Sequence, residues 1–165
     1  MTNAENQQAP VLQTLPGDEV RQIMWRFADR FDLQMVVQSA RGVARGPVAR
    51  LVADGERNTH EWTEAKNRQL AAFDESGITS AFLDLEYGGY LEGPKNLAAS
   101  LIAFELAWVD GGAATGSLAG NLALSPIHER GTPEQRETYM SRCVPPQPGE
   151  ARKPWRGAFV LTEPL

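Results

Sequence analysis

A single cysteine, Cys143, rules out an internal disulfide and leaves no thiolate set for a metal. Histidine is nearly as scarce, at His60 and His128 only. His60 and Glu64 stand at an i, i+4 spacing, but two ligands without a third do not hold zinc, so no metal site is expected. His128, beside Glu129 and Arg130, reads as a surface or packing residue. No Ser/His/Asp or Cys/His nucleophilic set stands out, and the adjacent carboxylates Asp74 and Glu75 read as solvated. A basic excess is also missing. Sixteen Lys and Arg against 21 Asp and Glu give a net charge of −5, which removes the electrostatic footprint expected for nucleic acid. Arginines gather at Arg41, Arg45 and Arg50, but Asp54 and Glu56 follow, and a solvated helix face is expected there. No apolar run is long enough to span a membrane, and the polar residues 1–16 lack the apolar core of a signal peptide. A cytoplasmic location without membrane or nucleic-acid partners is the resulting expectation.

What the chain does hold is helical periodicity. Val20, Ile23, Met24, Phe27 and Phe31 mark one face of an amphipathic helix, and helical character continues over residues 33–43. Gly46-Pro47 is predicted to break it, because proline removes an internal hydrogen bond. A further helix is predicted over residues 60–76, capped by Thr59, with Trp62, Leu70 and Phe73 buried and Gly77 as its left-handed closing residue. Residues 78–85 read as either a short extended segment or a turn of helix, and Tyr87-Gly88-Gly89-Tyr90 as a turn.

Residues 94–110 carry the strongest helix signal. Leu97, Leu101, Phe104 and Trp108 form one stripe, and Ile102, Leu106 and Val109 a second. Glu105 is the only charge between Lys95 and Asp110. Such a helix belongs in the middle of a bundle. Residues 113–124 are helical but small in side-chain size, with Gly116, Ala119, Gly120 and Ala123 along one side. Glycine inside a helix costs about 1 kcal/mol relative to alanine, so something is expected to approach this backbone closely: another helix, or a flat ligand or acyl chain. The stretch Gly111 to Ser117 lacks the lysine of a phosphate-binding loop and follows a helix, so it reads as a connection. Ser125-Pro126 is predicted to start a separate single turn. Thr132-Pro133-Glu134-Gln135 forms a capping box for a helix ending near Cys143, with Tyr139, Met140 and Cys143 facing in. After a Pro- and Gly-bearing loop the pattern changes, and Phe159 to Leu161 read as the start of a strand that Pro164 would stop.

Four segments, in order, resemble the N-terminal part of the acyl-CoA dehydrogenase family. Ser76-Gly77-Ile78 with Glu86-Tyr87-Gly88-Gly89 resembles its helix, turn and E-Y-G-G loop. Phe104-Glu105-Leu106-Ala107 through Asp110 resembles a helix end. Pro126 to Tyr139, with Gly131-Thr132-Pro133-Glu134-Gln135, resembles its next segment, and Gly157 to Pro164 its G-A-F-A-L-T-E-P loop. Together these cover about two thirds of the chain.

The resemblance implies an all-α helical bundle with the first strand of a truncated β-domain at the C-terminus. Its expected parts are a mobile N-terminal tail (1–16), a helical domain (17–145), and a linker with the start of the β-domain (146–165). It implies FAD, with Phe159, Val160, Leu161 and Thr162 as flavin contacts through backbone N–H groups and the Thr162 hydroxyl. It also implies that Ala114, Thr115, Leu118, Ala119 and Leu122 line the acyl chain and the flavin edge. The implied activity is α,β-dehydrogenation of an acyl-CoA thioester, with an electron-transfer flavoprotein or similar acceptor as partner and a homodimer or homotetramer as assembly. The family's catalytic base is a glutamate of its C-terminal bundle. No residue here matches it, and Glu163 does not take that role, so the chain alone is expected to be inactive. Two other readings are a non-catalytic helical interaction module and the N-terminal part of a flavin-dependent monooxygenase on the same fold.

Overall fold

The structure, a computed structural model, describes residues 29–54, 60–146 and 149–160. The proposed tail, and Val20, Ile23, Met24 and Phe27 of the first predicted helical face, lie outside them. Six α-helices account for most of the described chain: α1 (Phe31–Val43), α2 (Ala49–Ala53), α3 (Glu64–Glu75), α4 (Lys95–Ala107), α5 (Gly111–Arg130) and α6 (Pro133–Cys143). Among the described residues there is no strand, and the fold is all-α.

The core forms where α1 and α4 pack together. α1 contributes Leu33, Val36, Val37 and Ala40, spaced i, i+3, i+4 and i+7, and α4 contributes Ala98, Ile102 and Leu106. Ala40, Ala44 and Ala98 are fully buried, and their small side chains let the backbones come close. Phe73 of α3, with Ile78, Ala81 and Leu91 from the α3–α4 connection, closes one end of this core, and Ala113 and Ala114 of α5 close another. α5 packs on α4, and α6 on α5.

One polar group lies inside this apolar contact. The Glu105 side chain is 3% exposed and accepts Arg41 Nε at 3.1 Å, Arg41 Nη2 at 2.9 Å and Arg45 Nη1 at 2.8 Å. Arg41 and Arg45 are therefore not a solvated face: Arg41 is buried, and both reach across to α4. Burial opposes ionisation of Glu105. The hydrogen bonds from Arg41 and Arg45 outweigh it and hold the carboxyl below its ordinary value.

Several local expectations are corrected. Gly46-Pro47 does not break the chain's helical run. A π-turn over Ala44–Val48 carries the backbone through Pro47 into α2, and its wider hydrogen-bond loop takes up the missing N–H and the bulk of the ring. α3 starts at Glu64 behind Thr63, later than predicted, and Trp62 stands 67% exposed rather than buried. Of the two readings left open for residues 78–85, the turn holds over residues 78–82. The outer stripe of α4 is only half covered: Leu97 and Leu101 pack on the core, while Phe104 and Trp108 are exposed and lean on each other at a centroid distance of 6.3 Å. α5 runs unbroken through Ser125-Pro126 to Arg130. Tyr139 is exposed, while Met140 and Cys143 are buried as expected.

Other signals hold. Gly77 closes α3 at φ +78. Gly89 is needed for space, since a Cβ there would sit 1.9 Å from the Leu83 carbonyl oxygen. The Tyr90 hydroxyl donates to Gly77 O at 3.3 Å, and burial pushes its pKa up to about 12. The capping box is complete: Thr132 Oγ1 accepts from Gln135 N at 3.2 Å, and Gln135 Oε1 accepts from Thr132 N at 2.9 Å.

The buried triad generates a prediction. Removing one member of a buried ion pair leaves uncompensated charge, so Glu105→Ala should cost about 3–5 kcal/mol in denaturant unfolding. Because the folded carboxyl titrates below its ordinary 4.5, its contribution is complete above that value and is lost as pH falls through the lowered folded pKa. Glu105→Gln should therefore show a shallower loss of stability below about pH 4.5 than the parent chain.

Candidate functional site

α5 begins at a buried cap. Asp110 Oδ1 accepts Gly112 N at 2.6 Å and Ala113 N at 3.1 Å, satisfying two amides that the helix itself leaves unpaired. Ala113 and Ala114 follow and turn into the core. From there one strip of the helix is open. Thr115 is exposed, its hydroxyl donating back to Gly111 O at 3.0 Å. Leu118 and Ala119, a turn further, are half-buried, and Leu122 is 62% exposed. These four residues stand at i, i+3, i+4 and i+7 and share one face. Of the five residues assigned to the acyl pocket, the structure thus brings four together on the open side and turns Ala114 inward.

Past its midpoint, at Ala123, the helix is met by the chain's own C-terminal segment. Residues 150–160 have no helix or strand, and Gly157 rests against Ala123 of α5. A Cβ at position 157 would meet Ala123 Cβ at 2.6 Å. The close approach expected from the small side chains has two sources: α4 and α3 pack on α5, with Gly116 facing Gln69 of α3, while the neighbour at Ala123 is not a helix. It is the backbone of this same chain. Beyond it Phe159 is half exposed and Val160 is 78% exposed, without a ladder partner among the described residues. Leu161 and Thr162 lie outside those residues.

Two clefts flank α5. One, of about 390 Å³, lies between α3 and the start of α5 and is lined by Trp62, Lys66, Gln69, Asp110 and Gly116 among others. The other, of about 270 Å³, lies between the start of α4 and the end of α5. At the second, Asp84 Oδ1 accepts Lys95 Nζ at 2.7 Å, and Asp84 Oδ2 pairs with His128 Nδ1 at 2.7 Å. Lys95 Nζ also donates to Phe82 O at 3.0 Å and Leu83 O at 3.2 Å. Burial works against the Asp84 carboxylate, and Lys95 together with His128 overcomes it, holding the carboxyl below its ordinary value. His128, on the surface as expected, is thus also a tie between α5 and the loop before α4. Neither cleft is lined by Leu118, Ala119 or Leu122.

The sequence reading missed Asp74, Trp155 and Arg156. Asp74 is not simply solvated: its Oδ2 accepts Arg156 Nη2 at 2.5 Å and its Oδ1 accepts Thr79 Oγ1 at 2.7 Å. The available signal was Gly157 itself, the one small residue ahead of an apolar run, together with Gly120 and Ala123 on α5. Cys143 is buried nearby. Burial raises its thiol above the ordinary value, and the positive charge of Arg156 offsets this only in part. Among the described residues no group of three or more His, Cys, Asp or Glu is placed to hold a metal, and no helix is long and apolar enough to cross a membrane.

Asp110 fixes where the open strip begins, so its loss should be measurable. Asp110→Ala should lower the stability of the domain by about 1–2 kcal/mol, the range for a lost N-cap, as read by thermal or denaturant unfolding.

Comparison with known proteins gives one assignment. No curated protein and no solved structure matches the chain. The family model described as the acyl-CoA dehydrogenase, N-terminal domain, matches residues 31–145. That span runs from the first residue of α1 to just past α6 and includes the Arg41–Glu105 pair, the Asp110 cap and the whole of α5. This chain belongs to the acyl-CoA dehydrogenase family of oxidoreductases and carries its N-terminal helical domain.

Proposed function

We propose that this chain supplies the helical wall of a flavin and acyl pocket in a FAD-dependent acyl-CoA dehydrogenase. The observation that carries the proposal is the open strip Thr115, Leu118, Ala119 and Leu122 on α5, with the C-terminal segment docked on the next turns of the same helix. The strip's side chains are small or apolar apart from one hydroxyl; Thr115 and Leu122 are exposed, Leu118 and Ala119 partly so, and Phe159 and Val160 are exposed as well. Such a surface fits a flat, largely apolar ring edge and an alkyl chain.

FAD, when bound, takes up the hydride lost from Cβ of the thioester. The residues of this chain bind, orient and exclude water. Backbone N–H groups of residues 159–162 and the Thr162 hydroxyl serve as donors to the pyrimidine edge of the flavin, where negative charge gathers on reduction. Leu118 and Leu122 cover the acyl chain. Ala119 keeps the surface shallow enough for the ring, and Thr115 offers its hydroxyl at the strip's start. Ala114 backs this wall from the core rather than touching ligand. The proton at Cα is taken by a carboxylate that none of the residues named here supplies. An electron-transfer flavoprotein or similar acceptor, assembly into a dimer or tetramer, and a cytoplasmic location belong to the same proposal.

Two measurements on the full-length protein test it. The purified protein should be yellow, with flavin absorbance bands, and should reduce a dye only when an acyl-CoA is supplied. A colourless, inert preparation would contradict the reading. Leu122→Glu should lower kcat/KM by about tenfold or more through loss of apolar contact with the acyl chain. Because Leu122 is 62% exposed, the helical circular dichroism should be unchanged.

A further inference from the structure

Residues 155–157 have no regular structure, but three helices hold them. The Trp155 backbone N–H donates to Arg142 O on α6 at 2.8 Å. Its ring lies 5.2 Å from the Arg142 guanidinium and 6.2 Å from the Tyr139 ring. Arg156 Nη2 donates to Asp74 Oδ2 at the end of α3 at 2.5 Å, and the bond from Thr79 Oγ1 to Asp74 Oδ1 keeps that carboxylate in place. Gly157 then seats on α5, where an added Cβ would lie 2.6 Å from Ala123 Cβ and 3.5 Å from Gly120 O. A Cβ on a helix cannot swing aside as the tip of a long side chain can. Any side chain at 157, or a larger one at 123, therefore lifts the segment off its seat.

The three anchors differ in kind: a backbone hydrogen bond under a cation–π contact, an ion pair, and a steric fit. Each comes from a different helix, so together they fix the segment's direction as well as its position. Phe159 and Val160, the next residues but one, are held by none of these contacts and project outward.

We infer that Trp155, Arg156 and Gly157 form a latch that sets where Phe159 and Val160 leave the helical wall, and so the register in which the backbone donors proposed above meet a flavin. The latch belongs to the ligand-free fold; only its bearing on flavin rests on the function proposed above. All three are positioning residues.

Trypsin reads the latch directly, because Arg156–Gly157 is one of its bonds and is cut only when the segment lifts. Limited digestion of the ligand-free chain, with release of residues 157–165 followed by mass spectrometry, compares the parent with Asp74→Asn and Ala123→Leu. Both variants leave the scissile bond unaltered. Release should rise about two- to fivefold in Asp74→Asn, in keeping with a partly exposed ion pair, and by about tenfold in Ala123→Leu, with helical circular dichroism retained. Should Ala123→Leu fail to fold, the smaller Ala123→Val, which also leaves the scissile bond unaltered, makes the same comparison. Equal release rates in the parent and all folded variants would overturn the latch.

A second readout uses the flavin-loaded full-length protein. Gly157→Ala should shift the flavin absorption maximum and weaken FAD binding several-fold. Faster tryptic release with an unchanged flavin spectrum and affinity would overturn the positioning role. If the parent protein takes up no flavin, the functional proposal fails, and the tryptic comparison still decides the latch.

Discussion

The Arg41–Glu105–Arg45 triad is the constraint on which the rest of this domain depends. It stands where α1 and α4 form the core, and it permits only one register between them. Sliding either helix by a turn would strand a buried carboxylate or a buried guanidinium, at a cost of several kcal/mol. Apolar contacts such as Val37 and Ile102 favour burial but tolerate such slippage more readily. With α4 fixed, its end at Asp110 is fixed as well. Asp110 caps α5, so the position of the open strip follows from the position of the triad.

The small residues of α5 then serve two neighbours. Ala113 and Ala114 let the start of the helix sink into the core, and Ala123 receives the backbone at Gly157. Between them Thr115 and Leu122 are exposed, and Leu118 and Ala119 partly so. A helix meant only for packing would not leave Leu122 largely exposed. The Lys95–Asp84–His128 tie holds the other end of α5 to the loop before α4, so the helix is fixed at both ends while its middle face remains free.

Features encoded within one turn were legible in the sequence. The Thr132–Gln135 capping box and the closing Gly77 were found at the right residues, because their partners lie within a few positions. Features that need a distant partner were not. Arg41 and Glu105 are 64 residues apart, and nothing near Arg41 tells a solvated arginine from a buried one. Asp74 and Arg156 are separated further still. The two prolines misled for another reason. Proline weakens a helix by about 3 kcal/mol but does not forbid one when packing on either side is strong. Pro47 lies inside a π-turn, and Pro126 falls where α5 is already held by α4, α6 and the Asp84 tie. The acyl strip was read by analogy with the family, and that analogy carried no information about which way Ala114 turns.

The central claim, that the open strip of α5 lines an acyl pocket, is tested most directly by photolabelling. An acyl-CoA carrying a diazirine on its acyl chain is irradiated in the flavin-loaded full-length protein, and the labelled peptides are sequenced. The account predicts adducts on residues 115–122, suppressed by excess unlabelled acyl-CoA. Suppressible adducts that fall wholly outside α5 would contradict it.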